Sequence, residues 1–217
     1  MIKIYILNVQ DLQKQGFSEL VSSLPFGDGE RQRLCAIGNS KHRWESLGGL
    51  VALWRLCEDM GVDLPLEIQR TPSGKPYFAD KRELGFGISH SSGFAAAAID
   101  TAGHAELGFD VETVDESYDF SGIAGRFFTE DEQIALQKGG STPECFFRLW
   151  TKKEARAKAD GRGLSALLKG DADGDLKLWQ RTVSVADKRI CVALCRKNQI
   201  RSVKIYTDGK ESYELQN

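Results

Sequence analysis

Neither sign of charge dominates this 217-residue chain: 29 Lys and Arg stand against 31 Asp and Glu, a formal net charge of -2. That balance argues against a general electrostatic grip on nucleic acid or an anionic membrane surface, while leaving room for a local basic pocket. Long apolar runs are also missing, and none approaches the ~18 residues needed to cross a bilayer. The five cysteines, Cys35, Cys57, Cys145, Cys191 and Cys195, are scattered, form no CxxC pair and have no histidine at zinc-ligand spacing. Cys191 and Cys195 flank an apolar run and read as buried thiols. The chain opens on alternating apolar and polar residues, where a leader would show a basic segment, an apolar stretch and a cleavage site. No low-complexity linker or short-period repeat is present. The expectation is a reduced, cytoplasmic protein that engages neither nucleic acid nor membrane.

What is present is ordinary globular composition, with 41% hydrophobic and 28% charged residues. A chain of this length buries roughly 70% of its unfolded surface and needs no staples. Met1–Val9 alternates as a strand does. Asn39–Ser40 caps a helix to about Met60, with Trp44, Leu47, Val51 and Trp54 on one stripe and Gly61 as the stop. Its first turn holds Lys41, His42 and Arg43, unfavourable beside the positive end of a helix dipole unless an anion binds there. Arg70 to Pro76 is a turn with two cations. Strands are expected over Leu84–Ser89, Phe94–Asp100 and Glu106–Glu112. Thr129 and Glu132 form a capping box opening a helix to Lys138. Thr142 and Pro143 start another, ending at Asp160 before Gly161. Leu176–Val185, Arg189–Cys195 and Ser202–Thr207 close the chain as strands. Helices beside strands of antiparallel character, without regular βαβ alternation, make the fold class α+β.

Three groups could carry chemistry. Asp110 and Glu112, two apart on a strand, share one face. Two adjacent carboxylates raise each other's pKa unless a cation lies between them, and hard oxygen donors suit Mg²⁺. A solvent-facing acidic strand end is the alternative. Trp150, Glu154 and Lys158 fall at i, i+4 and i+8 on the last helix, where Glu154 and Lys158 also form a favourable exposed pair. Ser89 and His90 end a strand; no GxSxG elbow surrounds the serine, which argues against a hydrolase nucleophile. His42 and His104 read as structural. Gly170–Asp175 has a misplaced glycine and Thr182 where a calcium loop needs glutamate, so it reads as a turn. Glu132 reads first as a cap and second as a catalytic support.

Taken in order, Gly74-Lys75-Pro76, Ile88-Ser89-His90-Ser91, Leu107-Gly108-Phe109-Asp110-Val111-Glu112 and the block Trp150, Lys153-Glu154-Ala155, Lys158, Gly161, Gly163-Leu164 resemble the 4′-phosphopantetheinyl transferases. The likeness is to the larger, single-chain, surfactin-synthetase-activating type and covers about residues 30–168. Gly87 stands where an asparagine is common, and Phe109 replaces a small aliphatic residue.

The resemblance implies a monomeric pseudo-dimer of two similar α+β halves, 1–103 and 104–217, with the active site in the cleft between them. It implies transfer of 4′-phosphopantetheine from coenzyme A to a serine of an apo acyl or peptidyl carrier protein. The products are the holo carrier and adenosine 3′,5′-bisphosphate. By the same likeness Asp110, Glu112 and Glu154 bind Mg²⁺ and the coenzyme pyrophosphate, with Glu112 the least constant of the three. Lys158 neutralises phosphate charge, and Glu154 is the candidate general base. Ser89 and His90 contact the coenzyme, Arg33, Arg70 and Lys75 hold its nucleotide end, and Lys41 and Arg43 are further cations for it. Two other readings stay open: a non-catalytic coenzyme A-binding protein of the same fold, and a different Mg²⁺-dependent phosphotransferase.

Overall fold

A computed structural model describes residues 1–103, 106–161, 175–207 and 210–216. His104, Gly163, Leu164 and residues 170–174 of the acidic turn lie outside the described residues. The fold is α+β, in two compact units: Met1–Leu107 with Ile200–Asn217, and Gly108–Gln199.

In the first unit, strand β1 (Ile2–Asn8) leads into three short helices, α1 (Val9–Gln13), α2 (Phe17–Ser23) and α3 (Asp28–Ala36). The long helix α4 (Ser40–Asp59) follows, then β2 (Ile68–Arg70), β3 (Pro76–Phe78), β4 (Phe86–Ser91) and β5 (Phe94–Asp100). After the second unit the chain returns as β9 (Ser202–Thr207) and β10 (Lys210–Gln216). The sheet order is β10-β9-β1-β5-β4, with β2 and β3 as a separate ribbon. The carboxy-terminal strands belong here because β9 runs parallel to β1, Ile2 opposite Val203 and Ile6 opposite Thr207. This differs from the division at 103/104 expected from sequence, which assigned everything after 104 to one half.

The Asn39 side chain caps α4 by accepting from the His42 amide at 2.9 Å. The helix buries Leu47, Leu50, Val51 and Leu53 against the sheet. A Gly48–Gly49 pair sits inside it, at roughly 1 kcal/mol each relative to alanine. Close packing explains the pair. A Cβ at Gly48 would lie 2.7 Å from the Ala95 Cβ, and one at Gly49 would lie 2.3 Å from Ile88 Cγ2. The alanine run of β5, wholly buried, offers the matching flat surface.

In the second unit, β6 (Gly108–Thr113) is followed by α5 (Ser121–Phe127), α6 (Glu130–Lys138) and α7 (Pro143–Asp160), then β7 (Lys177–Val185) and β8 (Lys188–Arg196). The antiparallel order is β6-β8-β7. Asp110 stands opposite Ala193 and Glu112 opposite Cys191. The Thr129–Glu132 capping box forms as its spacing predicts, and Thr142 caps α7 through the Cys145 amide. Phe146, Phe147 and Phe128 are buried under α5 and α6, with Trp150 stacked 6.2 Å from Phe146. Among the described residues no helix is long and apolar enough to cross a membrane.

Candidate functional site

One strand and one helix assemble the acidic cluster of the second unit. Strand alternation puts Gly108, Asp110 and Glu112 on one face of β6, and that face is the one α7 covers. Gly108 sets the approach. A Cβ there would fall 2.0 Å from the Ala155 carbonyl oxygen and 2.5 Å from the Ala159 nitrogen. The helix therefore rests on bare strand backbone, and Glu154 and Lys158, one turn apart, reach Asp110.

Lys158 Nζ donates to Asp110 Oδ1 at 2.5 Å and lies 3.7 Å from Glu154 Oε2. One oxygen from each of Asp110, Glu112 and Glu154 falls within 4.8 Å of the others. Asp110 is only 1% exposed, so the pair on β6 is not the solvent-facing strand end that the sequence also allowed. Burial first, then the neighbouring Asp110 charge, pushes the Glu154 carboxyl up to about 7; Lys158 and a Trp150 hydrogen bond pull it down only in part. Burial alone would lower the Lys158 ammonium, but the Asp110 and Glu154 charges outweigh it and hold it raised.

Among the described residues, three carboxylates gather around one ammonium, an excess of two negative charges within that group when all are ionised. Burying such an excess is costly, and a divalent cation would cancel it. The donors are hard oxygens, the chemistry Mg²⁺ prefers. Glu132 is anchored otherwise: its Oε2 accepts from the Thr129 amide at 2.9 Å and from Lys153 Nζ at 2.8 Å.

In the first unit, a buried glutamate that sequence reasoning passed over organises two of the expected cations. Glu30 accepts from Arg33 Nε at 2.8 Å and from Arg70 Nε at 3.0 Å. Arg70 also donates to the Gly74 carbonyl, and the Lys75 amide donates to Thr71 Oγ1 at 3.1 Å. Arg33, Arg70 and the Lys75 turn are thus tied together. The Glu30–Arg33 spacing of three was the available signal. Lys41 is exposed in the first turn of α4, while the Arg43 guanidinium lies 4.8 Å over the Phe17 ring.

Ser89 and His90 are neighbours on β4 and face opposite sides of the sheet. Ser89 is buried. His90 faces α4, its Nδ1 3.5 Å from Oε2 of the buried Glu45. The other Glu45 oxygen accepts from the Gly93 amide at 2.8 Å.

A family model of the 4′-phosphopantetheinyl transferase superfamily matches residues 106–213. The chain is 31% identical over 170 residues to the 4′-phosphopantetheinyl transferase gsp of Aneurinibacillus migulanus, covering 76% of this chain and 68% of that protein. It is 31% identical to a putative 4′-phosphopantetheinyl transferase of Synechocystis sp., over 69% of this chain and 61% of that one. The match to the 4′-phosphopantetheinyl transferase psf-1 of Bacillus pumilus is 29% identical, over 76% and 71%. The matched stretch therefore spans roughly three-fifths to seven-tenths of these relatives' lengths.

Proposed function

We propose that this chain, which belongs to the 4′-phosphopantetheinyl transferase superfamily, transfers 4′-phosphopantetheine from coenzyme A to a serine of an apo acyl or peptidyl carrier protein. One observation carries the reading: a buried aspartate and two glutamates bring a carboxylate oxygen each to within 4.8 Å of the others, with a lysine among them. That set fits Mg²⁺, with Asp110, Glu112 and Glu154 as the residues that would hold it. The ion, when bound, supplies positive charge against the negative charge that builds up on a reacting pyrophosphate.

The chain's own groups then divide the work. The carrier serine oxygen attacks the β-phosphorus of coenzyme A, and the bond from that phosphorus to the oxygen bridging the two phosphates breaks. Adenosine 3′,5′-bisphosphate leaves with the bonding electrons. Glu154 takes the serine proton as the carboxylate beside the reacting group. The Lys158 ammonium offsets phosphate charge. Arg33, Arg70 and Lys75 hold the nucleotide end, with Glu30 keeping the two arginines in place, and Ser89 and His90 contact the coenzyme.

The test is incubation with coenzyme A, Mg²⁺ and a panel of apo carriers, with each carrier weighed by mass spectrometry. A phosphopantetheine adduct on a serine is expected. Coenzyme binding without an adduct on any carrier would overturn the reading in favour of a binding protein. Cleavage of coenzyme A without a protein acceptor would overturn it in favour of another phosphotransferase.

A further inference from the structure

His42, Glu45 and His90 form a second cluster of ligating side chains, unlike the first in chemistry. His42 and Glu45 lie three apart on α4, so they share a helix face. His90 lies on β4, on the strand face that α4 covers, beside Ile88. One donor atom from each of the three falls within 4.8 Å of the others. The two imidazole rings are 5.0 Å apart and steeply inclined, at 69°.

The decisive spacing is the 3.5 Å between Glu45 Oε2 and His90 Nδ1. It is longer than an ordinary N–H···O hydrogen bond of about 2.7–3.2 Å. A tetrahedral ion with bonds of about 2.0–2.1 Å separates its ligand atoms by about 3.3–3.5 Å. The carboxylate is also fixed from behind, since its other oxygen accepts from the Gly93 amide at 2.8 Å. Such outer support is what holds metal ligands in position. Arg43, next to His42, is engaged over Phe17.

We propose that His42, Glu45 and His90 form a binding site for a divalent first-row transition ion, Zn²⁺ by preference. Two imidazoles and one carboxylate are a zinc donor set that leaves a fourth position open. They favour Zn²⁺ over the hard ions that suit the all-oxygen set of Asp110, Glu112 and Glu154. The ion would pin the start of α4 to β4. On His90 the ion would take Nδ1, the nitrogen that faces Glu45. The site stands independently of the transferase reading.

The test is Co²⁺ titration of the full chain, without a histidine tag and in excess Mg²⁺ to occupy the acidic cluster. One equivalent of Co²⁺ should produce the intense visible bands of four-coordinate cobalt, bleached by one equivalent of Zn²⁺. His42→Ala, at an exposed position that leaves folding intact, should weaken Co²⁺ binding at least tenfold, and His90→Ala likewise. Circular dichroism checks that each variant is folded. Absence of four-coordinate bands would overturn the proposal and leave a simple Glu45–His90 pair. Bands that persist undiminished in His42→Ala but vanish in Glu154→Gln would overturn it too, by placing the ion at the acidic cluster.

Discussion

Lys158 Nζ donates to Asp110 Oδ1 at 2.5 Å, and it reaches Glu154 as well, so a single ammonium is shared between two carboxylates. Removing it deprives both acids of the ammonium they share. Lys158→Met should therefore destabilise the metal-free protein, by about 1–3 kcal/mol because the lysine side chain is still 35% exposed. Urea unfolding in chelator measures the loss. Mg²⁺ should restore part of it by supplying the missing charge, and a variant as stable as wild type in chelator would contradict the arrangement.

Glu154 makes the stability of the metal-free protein depend on pH. In the folded chain its carboxyl keeps a proton up to about pH 7, whereas the unfolded chain releases that proton near the ordinary glutamate value of about 4.3. Between those limits the native state binds more protons, so the Glu154 contribution to stability falls as pH rises. The full drop is of order 4 kcal/mol at most, at 1.36 kcal/mol per pKa unit. Other carboxylates titrate as well, so the readout is a difference. Glu154→Gln should flatten the decline between about pH 4.5 and 7 in chelator, and an unchanged slope would contradict the cause given.

How much of this was legible in the residues depends on the range over which each interaction acts. The long helices α4 and α7 carry their caps, stripes and stops locally. The spacing of Asp110 and Glu112 along β6, and of Glu154 and Lys158 along α7, likewise fixes which residues share a face. The helix α3 was not legible: it is charged all round and buries only Glu30 and Leu34. The parallel pairing of β9 with β1 joins segments some two hundred residues apart, and no local pattern announces it. Glu30 and Glu45 were missed for a related reason. A charged residue reads as exposed by default, and only its distant partners, Arg70, His90 and Gly93, show why burial is tolerated.

The same Glu154 is the base of the proposed transfer, so its amide variant should fail at chemistry as well. Loss of a positioned general base typically lowers kcat by about 10²–10⁴. Glu154→Gln should show that loss in the carrier-loading assay while coenzyme A binding, measured by calorimetry, survives. Full turnover in this variant would remove Glu154 from the base role.

Thiol chemistry offers a check on burial. Burial pushes Cys57 up to about 12 and Cys191 and Cys195 up to about 11, with Cys145 raised in the same direction. Reaction with an alkylating agent needs thiolate, and a rise of two or more pKa units cuts that fraction at least about 100-fold. Cys35 is exposed. Brief iodoacetamide treatment of the native protein at pH 8 should therefore modify Cys35, touch Cys145 slowly and spare Cys57, Cys191 and Cys195. Peptide mass mapping reads the pattern, and early modification of Cys191 or Cys195 would contradict the packing of β8.

Gly108 should be as sensitive as the acids it precedes, although it carries no chemistry. The atoms that a Cβ would strike are the Ala155 carbonyl oxygen and the Ala159 nitrogen, both backbone, so no side chain can turn aside to relieve the clash. Gly108→Ala has to lift α7 from β6, and overpacking of this kind costs about 1–3 kcal/mol or more. The same shift moves Glu154 and Lys158 away from Asp110, because the first two ride on α7 and the third on β6. Two losses are therefore expected together: a lower urea midpoint and weaker Mg²⁺ binding by calorimetry. Gly122→Ala is the control, since a Cβ there meets nothing within 4 Å, and it should leave the Mg²⁺ affinity unchanged. Equal Mg²⁺ affinity in Gly108→Ala and wild type would mean that helix contact at this glycine does not set the spacing of the acidic cluster.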